Sequence, residues 1–403
     1  MTKVGCPDCG ALQSLSERVA LARCEDCGSE LNRTTGRSLS AALACAATVL
    51  LLLIPANLLP FLTTSVLGVS RQSRLISSAT AMWSDGWPLL GIVIGLFVVV
   101  LPLVRFGLLT AVLGALQLSR QPPWLGRAFR WANGFQQWAM PDVFLLGLWV
   151  AYARLSATIN VDVGSGALCF IAAAVLSLFT RATLDKREVW LRIGADREPV
   201  PGEESISCLA CDLLVPAVEE GRPCPRCGQK LEAREPEGVA RAIALTLAGA
   251  ILYIPANLYA IATLPIGLHP TKYTVLEGVK DLAQARLIGL ALLVFCASFA
   301  IPFLKLAGLS YCLMSVMRRS SRRLVFKTRV YKVVEEIGRW SMVDPFVIAC
   351  FVPVMQYNAV IYGRAEPAAP FFTAVVVLTM MAARAFDPRQ MWDAAGSSPR
   401  RAA

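Results

Sequence analysis

Residues 39–58 read LSAALACAATVLLLLIPANL, and residues 239–258 read VARAIALTLAGAILYIPANL. Each is an apolar run of about the 20 residues that cross the hydrocarbon core of a bilayer. Arg241, near the start of the second, is the one ionised side chain in either. Both close on the same five residues, Ile54 to Leu58 and Ile254 to Leu258. Backbone amides without water must bond within their own segment, so runs of this kind are helices. The chain therefore reads as an all-α polytopic membrane protein that repeats itself.

The repeat extends outward from these runs. Cys6 and Cys9 return as Cys208 and Cys211, and Cys24 and Cys27 as Cys224 and Cys227. Pro102 and Arg105 return as Pro302 and Lys305. Trp138, Met140, Asp142 and Phe144 return as Trp340, Met342, Asp344 and Phe346. Arg181, Asp185 and Trp190 return as Arg384, Asp387 and Trp392. The offset stays between 200 and 203 residues, so two tandem copies of one module make up the chain. The boundaries expected are a zinc ribbon at 1–38, a bundle at 39–190, a linker and second ribbon at 191–237, a second bundle at 238–395, and a disordered tail at 396–403.

Each module holds four apolar runs, at 39–62, 88–118, 141–160 and 163–180, then at 239–266, 286–317, 342–362 and 367–383. Two four-helix transmembrane bundles follow. Hydrophobic residues make up 56% of the 403 and charged residues 17%, which excludes an ordinary soluble protein. The net charge of +11 gathers between the apolar runs. Loop 119–137 carries Arg120, Arg127 and Arg130 with no acid, and loop 318–339 carries eight basic residues against Glu335 and Glu336. The positive-inside rule puts these loops in the cytoplasm, and with them both termini and both ribbons. Residues 1–38 are polar and mixed in charge, so no cleavable signal peptide is expected before the first cysteines.

Eight of the 13 cysteines form Cys-x-x-Cys pairs, with 14 residues between Cys9 and Cys24 and 12 between Cys211 and Cys224. Two such knuckles present four thiolates to one metal ion, so Cys6, Cys9, Cys24 and Cys27 form one site and Cys208, Cys211, Cys224 and Cys227 another. Two structural zinc ions are expected, with rubredoxin-type iron as the alternative. Gly10, Gly28 and Gly228 follow their knuckles where the turn wants a permissive backbone, while Asp212 takes that place after Cys211. Neither ribbon has the basic surplus of a nucleic-acid binder. The single histidine, His269, excludes bis-histidine haem. There is no phosphate-binding loop and no catalytic dyad, so an enzyme is not expected.

Charges inside apolar helices mark candidate functional sites. Arg105 and Lys305 each lie three residues beyond a proline that should kink the helix. Asp142 and Asp344 open the third run of each module. They either cap it or pair with Arg105 and Lys305 respectively. Ser298 lies two turns before Lys305, Ser341 one turn before Asp344, and Thr379 deep in the last run. Together these five could line one cavity of the second module that binds a polar headgroup or relays protons. The first module has Ala139 in place of Ser341, so the second is the expected active bundle. Asn57 and Asn257 follow Pro55 and Pro255 and either fix helix contacts or line an outward mouth. Tryptophans at the run ends, among them Trp190 and Trp392, suit the membrane interface.

The ribbons, the twin Ile-Pro-Ala-Asn segments and the Trp-x-Met-x-Asp-x-Phe pair resemble the paraquat-inducible protein A family over essentially the whole chain. The resemblance implies a bacterial inner-membrane component of intermembrane lipid transport, important for envelope integrity. It also implies tetraspanin-like bundles, phospholipid cargo, and a periplasmic tunnel partner built of mammalian-cell-entry (MCE) domains. The alternatives are a non-transporting scaffold that anchors the partner and a thiol or metal redox sensor.

Overall fold

A computed structural model describes residues 2–15, 21–33, 37–66, 69–118, 122–156, 160–194, 205–266, 269–354 and 364–396. The linker at 195–204 and the tail from 397 on lie outside the described residues, as do some side chains within these ranges, Asp344 among them.

The first ribbon is two hairpins, β1 (Thr2–Gly5) with β2 (Leu12–Leu15) and β3 (Leu21–Arg23) with β4 (Glu30–Arg33). After it come α1 (Leu39–Leu58), β5 (Leu62–Val66), β6 (Val69–Ser73), α2 (Ser77–Ser84), α3 (Pro88–Ala115), α4 (Leu125–Gly134), α5 (Pro141–Leu155), β7 (Asn160–Val163), α6 (Ser165–Thr183) and α7 (Lys186–Ile193). The second ribbon pairs β8 (Ser205–Ser207) with β9 (Leu214–Pro216). The second bundle runs α8 (Gly238–Leu258), β10 (Ala262–Ile266), β11 (His269–Tyr273), α9 (Val275–Gln284), α10 (Ile288–Met317), α11 (Leu324–Gly338), α12 (Val343–Val354), β12 (Arg364–Ala365), α13 (Ala368–Ala385) and α14 (Arg389–Ala394). Helix n of the first half thus answers to helix n+7 of the second.

Six described helices are long and apolar enough to cross a membrane: α1, α3, α6, α8, α10 and α13. The third run of the first module gives a helix shorter than its apolar stretch. Helix α5 stops at Leu155, about 22 Å long at 1.5 Å per residue. Its counterpart α12 is described for 12 residues, and 355–363 lie outside the described residues. These two helices pack on each other where the modules meet. The equivalent residues Phe144 and Phe346 touch there edge to face, centroids 5.3 Å apart. A Cβ on Gly147 would sit 2.9 Å from that of Phe346, so glycine sets how closely α5 and α12 approach.

Small residues also join the first and last helices of each bundle, the usual device where water cannot drive packing. In the first bundle α1 buries Ala42, Ala46 and Ala56 against α6 with its Gly166, Ala173 and Ala174. In the second, a Cβ on Gly249 of α8 would lie 3.3 Å from the Thr379 methyl of α13. The long helices α3 and α10 each contain a π-helical segment, Leu96–Val100 and Cys296–Ala300. Leu101 and Ile301 bond back five residues, to Leu96 and Cys296. This wide turn accommodates Pro102 and Pro302, which lack the amide of a regular turn.

At the end of each bundle away from the ribbons, the loops form three-stranded antiparallel sheets, ordered β6-β5-β7 and β11-β10-β12. The architecture is therefore mostly helical rather than purely so.

The ribbons are crossed. Ribbon 1 shares one apolar cluster with α8, α10, α11 and α14 of the second bundle, where Ala11 and its cysteines meet Leu313, Tyr331, Phe386 and Trp392. Ribbon 2 shares its cluster with the first bundle, where Ile206, Val215 and Leu231 join Leu125, Phe129 and Trp190. An added Cβ on Gly126 would fall 1.8 Å from the Arg226 carbonyl oxygen, so α4 and the second ribbon touch backbone to backbone. Trp190 and Trp392 are 5% and 7% exposed. They floor the ribbon seats. Helix α7 starts from an aspartate cap, Asp185, which accepts from the Arg187 and Glu188 amides at 3.0 and 3.1 Å; before α14, Asp387 accepts from the Arg389 amide at 3.0 Å.

Candidate functional site

The two cysteine clusters are formed. In the first, Cys6 and Cys27 sulfurs lie 3.6 Å apart and those of Cys9 and Cys24 3.5 Å. In the second, Cys208 and Cys227 are 3.6 Å apart, Cys211 and Cys224 3.7 Å. Within each set all four sulfurs lie within 4.8 Å of one another, and all are buried. A tetrahedron of thiolates around an ion at the ~2.3 Å zinc–sulfur distance has edges of about 3.8 Å, so the donor sets fit such an ion. They are far beyond the ~2.05 Å of a disulfide. Each knuckle closes by a backbone bond to its first cysteine carbonyl, from Gly10, Gly28, Asp212 or Gly228, at 2.8 to 3.0 Å. All four donors have positive φ, from +58° at Asp212 to +81° at Gly10, so Asp212 fills its glycine-like position.

Lys305 is 1% exposed inside α10. Its ammonium donates to the Gly338 carbonyl oxygen at 3.2 Å, where α11 ends and presents unpaired carbonyls. A Cβ on Gly338 would lie 3.0 Å from the Lys305 Cε, so the lysine occupies the space a side chain there would need. The Ser341 hydroxyl, in the 3₁₀ turn joining α11 to α12, is buried without a partner among the described residues. That turn packs against the π segment holding Ser298, and the Ser298 hydroxyl bonds the Val294 carbonyl at 2.7 Å. Thr379 bonds back into its own helix, to Val375 and Val376 at 2.8 and 3.0 Å. The backbone of Asp344 starts α12, but the expected Lys305–Asp344 pair lies outside the described side chains.

The expected Arg105–Asp142 pair is replaced by another. Asp142 neither caps α5 nor bonds Arg105; it accepts from Arg181 in the last turn of α6. Both ends lie at the ribbon side of adjacent helices, where the two side chains meet without crossing the bundle. Arg105 is 3% exposed, with its guanidinium 5.0 Å from the Phe106 ring centroid. The charges of Arg181, Asp142 and Arg339 stand within its electrostatic reach. Arg339 pairs with Glu336, and burial with the nearby Arg181 charge lowers its pKa from the ordinary value. Sequence reasoning missed Arg339 and Gly338, and noticed Arg181 only as a repeat landmark.

Asn57 and Asn257 donate their side-chain amides to the Leu53 and Tyr253 carbonyls at 2.7 and 2.8 Å, tying down the last turns of α1 and α8 after the prolines. Their amide oxygens are buried and unpartnered among the described residues.

Duplicated membrane bundles and crossed cysteine ribbons define a two-module, multi-pass membrane protein. The family model for paraquat-inducible protein A matches residues 39–194 and 239–396. The chain belongs to that family. It is 30% identical over 399 residues to intermembrane transport protein PqiA of Escherichia coli (strain K12), covering 96% of this chain and 95% of the relative. It is 29% identical over 392 residues to lipophilic envelope-spanning tunnel protein A of the same organism, covering 96% and 91%. A probable intermembrane transport protein of Haemophilus influenzae is 24% identical over 395 residues. No solved structure matches.

Proposed function

We propose that this protein is the inner-membrane component of an intermembrane lipid transport system, passing phospholipid between its own membrane and a periplasmic MCE-domain tunnel partner. The basic loops place both ribbons and both termini in the cytoplasm on this reading, with the two sheets facing the periplasm. The observation that carries it is the buried Lys305 amine, held at the end of α11, three residues before Ser341, whose hydroxyl has no partner among the described residues. A cation at this position inside an apolar helix is expensive unless it serves a polar guest. Ser298 and Asp344 complete the proposed pocket, and Thr379 supports it from α13.

Zinc is the ion we assign to both cysteine clusters. Four thiolates leave it no open position, so it supplies folding free energy to the ribbons and takes no part in transfer. The relatives named as transport proteins support this reading over a purely anchoring one.

Lys305→Met keeps the length of the side chain and removes its charge. It should abolish complementation of a transport-deficient strain while membrane expression stays normal. Full complementation would reject the lysine's role and favour a scaffold that only recruits the partner.

A further inference from the structure

Where α1 begins and α3 ends, a cleft of about 360 Å³ opens between them and α7. Its polar wall is Arg37, Ser38, Ser40, Gln117, Glu188 and Arg192. Leu113 and Leu116 give it an apolar floor. The volume falls within the roughly 300–1,000 Å³ of small-ligand pockets. The Ser38 amide donates to the Thr183 carbonyl at 3.0 Å, which fixes the start of α1 against the turn from α6 into α7. The Ser38 and Ser40 hydroxyls lie 3.0 Å apart. Leu39 opens α1 and Ala115 closes α3, both long enough to cross a membrane, so the cleft sits at headgroup depth on the ribbon side.

The charges of the wall are unequally committed. Glu188 accepts from Arg192 at 2.6 Å, one turn apart on α7. Arg37 stands 3.7 Å from Glu30, beyond hydrogen-bond distance, and accepts no closer partner among the described residues. One cation is left over, beside two hydroxyls and an amide.

The duplication supplies a comparison within the chain. At the offsets of 200 and 202 that relate the modules, the six wall residues answer to Glu237, Gly238, Ala240, Met317, Gln390 and Ala394. Every charge and hydroxyl is lost or reversed there, whereas the floor stays apolar as Leu313 and Val316. Packing needs the floor in both modules; the wall, kept in one, serves something else.

We infer that this cleft binds the phosphodiester of a phospholipid from the ribbon-side leaflet. Arg37 is the principal cation, the serine hydroxyls and the Gln117 amide are further donors, and the acyl chains leave over Leu113 and Leu116. A basic pocket between membrane helices suits such a headgroup, and the apolar floor favours a lipid over a free anion. The site lies in the first bundle, apart from the Lys305 pocket, and its binding is measured without transport.

The test uses the full-length protein in detergent, stripped of lipid. Native mass spectrometry counts bound phosphatidylglycerol, phosphatidylethanolamine and diacylglycerol of the same chains. One phospholipid of either kind should be retained over diacylglycerol, roughly tenfold more weakly in Arg37→Gln, while Lys305→Met retains it. The cleft-filling Ser40→Trp should expel it too, and decides should Arg37→Gln fail to fold. Equal retention of diacylglycerol overturns the site, as does retention unchanged in Arg37→Gln and Ser40→Trp. Loss in Lys305→Met alone would assign the bound lipid to the other pocket and reject this one. Thermal stabilisation by inorganic phosphate without preference among the lipids would make the occupant a soluble anion and reject the lipid.

Discussion

Asp142 illustrates how a single side chain chooses among partners. Removing one member of a buried pair leaves the other charge stranded, at about 3–5 kcal/mol when fully enclosed; partial exposure of Arg181 trims this towards 2–3 kcal/mol. Asp142→Asn should therefore lower the melting temperature markedly, and Arg181→Gln in the same chain should recover most of the loss. Recovery by Arg105→Gln alone would restore the pairing expected from sequence. That pairing was misread because two cations, Arg105 and Arg181, come near Asp142 only once α3, α5 and α6 are packed. The cysteines and Asp212 were readable because a knuckle is closed by its own few residues. Lys305 was legible as an oddity, since a charge in an apolar run needs no tertiary knowledge to be noticed. Its acceptor at Gly338 was not, because a backbone carbonyl carries no sequence signature.

At the scale of elements, the two prolines were expected to kink their helices. Each long helix takes a wider turn just before its proline, which a one-residue surplus makes possible. Deleting Val99 removes that surplus and brings Pro102 against the carbonyl four residues back. The deletion should cost about 3 kcal/mol, and adding Pro102→Ala should return most of it. Thermal unfolding of the four chains of this cycle checks the prediction; no recovery would mean that the wide turn serves something other than the proline. Apolar length fixed the six long helices in advance, whereas α5, packed on α12, stops short of its run. A helix flanked by protein need not match the bilayer's thickness. The sheets escaped notice because strands such as Thr63 to Val66 and Ser70 to Ser73 are short and polar enough to pass for loop.

For the whole molecule, duplication was legible from recurring motifs, but the crossing of the ribbons was not. A ribbon's sequence specifies its metal and its turns; the seat it occupies is set by surfaces two hundred residues away. The Lys332–Asp8 ion pair, 2.6 Å long, spans one seat, yet at 40% and 11% side-chain exposure it is worth at most about 1 kcal/mol. Apolar burial around Trp392 and Tyr331 holds that seat instead. Tyr331 ties it to the bundle, donating to the Ala383 and Phe386 carbonyls at 2.8 and 3.2 Å. Replacing Cys6 and Cys9 by serine should therefore raise hydrogen exchange in α11 and α14 of the second bundle while α4 and α7 stay protected. Loosening confined to the first bundle would contradict crossed seating.

Crossed seating also bears on hybrids made between relatives. A splice within residues 195–204 would place each parent's ribbon on a foreign floor, spoiling both joints at once. Transplants that respect the molecule would move residues 1–38 together with 238–396, or 39–194 together with 205–237. The natural unit of exchange in this protein is a pair of non-adjacent segments, and a breeder of chimeras who follows chain order alone will cut through it.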